Sequence, residues 1–72
     1  MTLENACITA AKIARKLGLC AYVYYVWEEG TFQVCCQEWA TIEAEVRECI
    51  HSIVTDEGDI FEHTSRVVRV QP

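Results

Sequence analysis

The side chains in this chain able to do chemistry are five cysteines, two histidines and eleven carboxylates. The cysteines, Cys7, Cys20, Cys35, Cys36 and Cys49, are odd in number and form no C-x-x-C pair. That argues against a disulfide framework and against a zinc knuckle, and fits a reducing compartment. Cys7 and Cys49 fall on apolar stripes at helical spacing, and one of Cys35 and Cys36 must point inward from a strand, leaving the other as an accessible thiol. A cysteine nucleophile would need Cys35 or Cys36 beside His51 or His63, and neither cysteine is followed by a helix start that would lower its pKa. Gly18, Gly30 and Gly58 are taken by turns and a helix cap, so no glycine-rich phosphate loop remains. Acid pairs such as Glu45 and Glu48 read as a solvated helix face rather than as metal ligands. The sequence therefore predicts no catalytic residue, no metal and no cofactor, with a thiol-dependent enzyme as the outlying alternative.

The carboxylates are the pattern that stands out. Ten of the eleven acids lie between Glu28 and Glu62, opposed there by the single base Arg47, so this stretch carries −9 within a chain of net charge −5. Folding must leave these groups in water, and a small domain has little surface over which to spread them. A strongly negative face follows. It repels nucleic acid and attracts basic protein surfaces, while Lys12, Arg15, Lys16, Arg66 and Arg69 are too few to reverse that balance.

Seventy-two residues, 51% hydrophobic and 24% charged, predict one globular domain near the lower size limit for an unaided core. A partner copy would relieve that limit, so a homodimer is an alternative from the outset. The longest apolar run, Leu19 to Trp27, has nine residues, about half of the ~20 that a membrane helix needs, and the start of the chain lacks the basic residues of a signal peptide. The expectation is a soluble, cytoplasmic protein with no membrane partner.

The elements that must position these groups follow from periodicity. Thr2 caps a helix whose apolar residues Leu3, Ala6, Cys7, Ala10, Ile13, Ala14 and Leu17 recur at helical spacing before Gly18. Cys20 to Trp27 and Thr31 to Gln37 form a hairpin around Glu28-Glu29-Gly30. A three-residue loop needs positive φ only at Gly30, and it pairs Val26 with Phe32 and Tyr24 with Val34. That register buries Tyr22, Tyr24 and Val26; a two-residue loop would reverse the faces. Thr41 starts a second helix with the stripe Ile42, Val46, Cys49, Ile50, Ile53, and Arg66 to Val70 supplies a third strand. The predicted fold is α+β, ordered α-β-β-α-β. Its three-stranded antiparallel sheet has order 2-1-3 and carries both helices on one face.

With both helices on one face, the other exposes Val23, Tyr25, Trp27, Gln33 and Cys35, unless the C-terminal segment covers it through Phe61 and Val67. An uncovered aromatic patch on so small a domain marks an interface. Together with Glu45, Glu48, Asp56 and Glu57 it predicts a partner-binding surface whose carboxylates stand where phosphates would and whose rings serve as anchors. In size, charge and compactness the chain resembles the small inhibitors of phages and mobile elements, anti-CRISPR proteins among them. That resemblance implies an inhibitor that occupies a basic, nucleic-acid-binding surface of a protein, without direct contact to nucleic acid. A homodimeric structural or adaptor domain is the alternative.

Overall fold

Helix α1 (Leu3–Leu17) begins where Thr2 Oγ1 accepts the Asn5 N–H at 3.2 Å and ends at Gly18, whose φ of 69° lets its N–H reach the Ala14 carbonyl. In the computed structural model, which describes residues 1–63, strands β1 (Ala21–Val26) and β2 (Thr31–Cys35) follow. A 3-10 turn (Trp39–Thr41) and the short helix α2 (Ala44–Glu48) then lead into β3 (Ile50–Val54) and β4 (Ile60–Glu62). The sheet is antiparallel, in order β2-β1-β3-β4. The most apolar strand is central, as its composition requires. The expected strand at Arg66 to Val70 lies outside the described residues.

Two expectations are corrected. The long second helix is a five-residue one, and Ile50 and Ile53 of its supposed stripe belong to β3. A stripe at i, i+4, i+7, i+8 and i+11 does not exclude a strand in its last four residues, and Ile50, Ile53 and Val54 are β-branched. Burial decides the conflict: β1 has a second edge of backbone N–H and C=O groups to satisfy, and Ile50–Val54 is the nearest segment able to do so. The second correction concerns layers. Helix α1 covers one sheet face through Ala6, Ala10 and Ala14, packed over Ala21, Val23 and Val54. The 3-10 turn and α2 cross the opposite face, where Ile42 and Val46 pack on Tyr22, Ile50 and Tyr24. The sheet is therefore sandwiched, and the two helices do not share a face.

The hairpin register differs for a related reason. Four residues, Trp27 to Gly30, form the loop, with the Gly30 N–H donating to the Val26 carbonyl at 2.8 Å and Gly30 at φ 65°. Tyr25 pairs with Phe32 and Val23 with Val34. Like the three-residue loop, this one needs positive φ only at Gly30, so backbone cost does not separate them. Volume does. A helix presenting three alanines lies close to the sheet, which admits Ala21 and Val23 beneath it but leaves no room for Tyr22 and Tyr24. The tyrosines accordingly face the 3-10 turn and α2.

One residue of β3 is extra. Val23 pairs with Ser52 and Tyr24 with Ile50, so His51 forms a β-bulge. The bulge sets Ile50 on the Tyr24 face while Ser52 stays opposite Val23. The His51 ring packs edge-on against Phe32, with centroids 5.8 Å apart, and its Nδ1 lies 2.7 Å from Ser52 Oγ. Among the described residues no helix is long and apolar enough to cross a membrane.

Candidate interaction surface

The end of the sheet that carries the β1–β2 turn is also where α2 ends and β3 begins, because Ile50 pairs with Tyr24. A hollow of about 140 Å³ opens there. Tyr24, Tyr25, Val26 and Trp27, at the end of β1 and the start of the turn, line it together with Val46 of α2 and Cys49. Glu28 and Glu45 complete the lining, from the turn and from α2. Trp27 stands 70% exposed, held on one side by the Tyr25 ring in an edge-on contact at 4.8 Å. Tyr25 is braced in turn by Phe32 at 5.0 Å. Burial raises the pKa of the Tyr24 phenol first, with the Cys35 thiol and Glu29 adding to it.

All ten carboxylates from Glu28 to Glu62 are exposed. Seven of them lie toward one or other end of the sheet. Glu28 and Glu45 line the hollow, with Glu29 in the same turn and Glu48 at the end of the same helix, whereas Asp56, Glu57 and Asp59 occupy the β3–β4 turn at the opposite end, five strand residues away. That second group is partly offset: Arg15, in the basic last turn of α1, reaches to 3.9 Å from where a Cβ on Gly58 would stand.

The expected open face is thus not one surface. Val23 is fully buried under α1, a correction that follows directly from the register. Gln33 and Cys35 point with Tyr22 and Tyr24 to the other side of the sheet, and Cys35 joins the Ile50 cluster. Trp27 and Tyr25 adjoin Glu45 at the hollow, and Glu48 ends the same helix; Asp56 and Glu57 lie far from them. Sequence reasoning missed Tyr24, Val26, Val46 and Cys49 as hollow-lining residues. The four-residue loop and the bulge that place them have no signal in composition, though the bulky pair Tyr24-Tyr25 guarantees that one ring faces each way.

The thiols are half-buried, so the exposed cysteine expected of the Cys35-Cys36 pair is not present. Burial pushes the Cys35 thiol up, with Cys36 adding to the shift; the Cys36 thiol is raised by burial and then by Cys20. Cys36 Sγ lies 3.4 Å from the Cys20 carbonyl, to which it donates. His51 packs on Phe32 on the α1 side, across the sheet from Cys35. Among the described residues no group of three or more His, Cys, Asp or Glu is placed to hold a metal. No family model matches the chain, and neither curated proteins nor solved structures yield a match.

Proposed function

We propose that the protein is a small acidic binding module that occupies a basic surface of a protein partner, of the kind that otherwise binds nucleic acid, and thereby inhibits it. The observation that carries this reading is the exposure of all ten carboxylates of the acidic stretch, with Glu28 and Glu45 lining the same hollow as the exposed Trp27. Carboxylates on a rim with an aromatic anchor at the centre are the usual division of labour in a recognition surface, charge steering the encounter and the ring supplying residence. The raised thiols argue against the enzymatic alternative, because a nucleophilic cysteine needs a lowered pKa. Binding of this kind accounts for an inhibitor or anti-defence role inside a cell without cofactor or metal.

The test is competition. Immobilised protein should capture, at low ionic strength, a partner that DNA or RNA displaces and that salt releases. Glu45→Lys with Glu48→Lys should slow association and flatten the salt dependence more than Asp56→Lys with Glu57→Lys, because α2 borders the hollow beside Trp27 and the β3–β4 turn lies at the other end of the sheet. If both double reversals bind as wild type does, or nucleic acid fails to compete, the reading is wrong. A homodimer is the second reading, favoured by Ile60 and Phe61, which are 55% and 57% exposed on the edge strand β4. A mass that rises with concentration and falls on Phe61→Lys would select it.

A further inference from the structure

The hollow beside Trp27 has a chemistry more specific than negative charge. At about 140 Å³ it is well below the ~300–1,000 Å³ of small-molecule and cofactor sites, and comparable to the ~150 Å³ that accommodates a benzene-sized group. Its lining is largely apolar, through Val26, Val46 and Cys49, and includes two carboxylate-bearing residues from different elements, Glu28 of the turn and Glu45 of α2. Neither of those carboxylates has a hydrogen-bond or ion-pair partner among the described residues. A largely apolar hollow lined also by an indole and by two carboxylate-bearing residues without a partner among the described residues fits one kind of side chain: a methylene stem with a flat, delocalised cation.

The molecule already contains this pairing once. The Arg47 guanidinium lies 5.3 Å from the centre of the Trp39 ring, within the range of a cation–π contact, and donates to the Ala40 carbonyl at 3.3 Å. Among the described residues, Trp27 has the ring and the carboxylates without the cation.

We propose that this hollow is an arginine-anchoring subsite, which receives one arginine side chain from a basic protein partner. The proposal rests on the binding role above and names the residue that role would select. The stem lies along Val26 and Val46, the guanidinium stacks on Trp27, and Glu28 and Glu45 accept its N–H groups from two sides. A lysine has the stem but neither the plane to stack nor the fork to satisfy two separated carboxylates, so it binds more weakly.

The experiment uses an acetylated, amidated hexa-arginine peptide titrated into the full chain at low ionic strength. Amide and indole N–H resonances report the site, since Trp27 and Trp39 give separate indole signals. The expected result is saturable movement of the Trp27 indole and of Val26, Val46 and Cys49, with the Trp39 indole unmoved. Hexa-lysine should bind several-fold more weakly, and a hexa-citrulline peptide, which keeps the shape and loses the charge, should not bind. Trp27→Ala, and Glu28→Gln with Glu45→Gln, should each weaken hexa-arginine by about tenfold, while an unmoved Trp39 indole in the variants shows that the fold is retained. Shifts spread evenly over every acidic position, equal affinity for arginine and lysine, or an unchanged Trp27→Ala would each overturn the subsite and leave the basic-partner reading standing. Failure of both cationic peptides to bind would take down both.

Discussion

Trp39 and Trp27 are the same residue type in the same acidic stretch, placed toward opposite ends of β1. Trp39 is 40% exposed and enclosed by this chain's own groups: the Tyr22 ring at 5.4 Å, the His63 ring at 5.9 Å and the Arg47 guanidinium above it. Trp27 is 70% exposed and, among the described residues, meets one ring, that of Tyr25. The first is committed to structure, closing the α2 side of the sheet where the core contains Ile42 and Ile50. The second is held in place by a turn yet contributes little burial, which makes it available to something else. The difference shows that exposure of an aromatic is informative only beside an account of what already surrounds it.

Three measurements sharpen or break that contrast. The largest effect belongs to the core behind Trp39. Ile50 is fully buried, so Ile50→Ala should cost about 2–5 kcal/mol in urea unfolding; an unchanged midpoint would mean that the α2 side of the sheet is not a packed core. Trp39→Ala should cost less, about 1–3 kcal/mol, because the ring is only partly buried, whereas Trp27→Ala should stay within about 0.5 kcal/mol of wild type. Equal losses at both tryptophans would erase the distinction between a structural and an available ring.

The smallest effect is alkaline. Cys35, Cys36, Tyr22 and Tyr24 all have pKa values raised in the folded protein, chiefly by burial. The folded state therefore holds these protons more tightly than the unfolded chain does, and their contribution is intact below the ordinary values of 9.0 for the thiols and 10.0 for the phenols. As pH rises past 9.0 and toward the raised folded values, the unfolded chain loses protons first and stability falls. The melting temperature should be flat from neutral pH to about 8 and decline above 9, with Cys35→Ala and Cys36→Ala together delaying the onset toward 10. A decline that begins at the same pH in the double variant would remove the thiols from the explanation.

The sequence by itself determined the parts of this protein that depend on neighbours in the chain. The Thr2 cap, the α1 stripe and Gly18 stop define a helix through local hydrogen bonds and spacing, and the hairpin follows from two β-rich runs around Gly30. The exposure of the ten carboxylates was equally legible, because the cost of burying unpaired charge leaves no other outcome. Tertiary structure decided the rest. Whether Ile50 and Ile53 continue a helix or form a strand depends on the free edge of β1, which periodicity over that segment does not encode. Whether Val23 or Tyr24 enters the α1 core depends on how closely three alanines let the helix approach, a matter of volumes from distant parts of the chain. The hollow at Trp27 is the product of both decisions, since it exists only where the end of α2, the bulge at His51 and the four-residue turn meet, and no one of them specifies it alone.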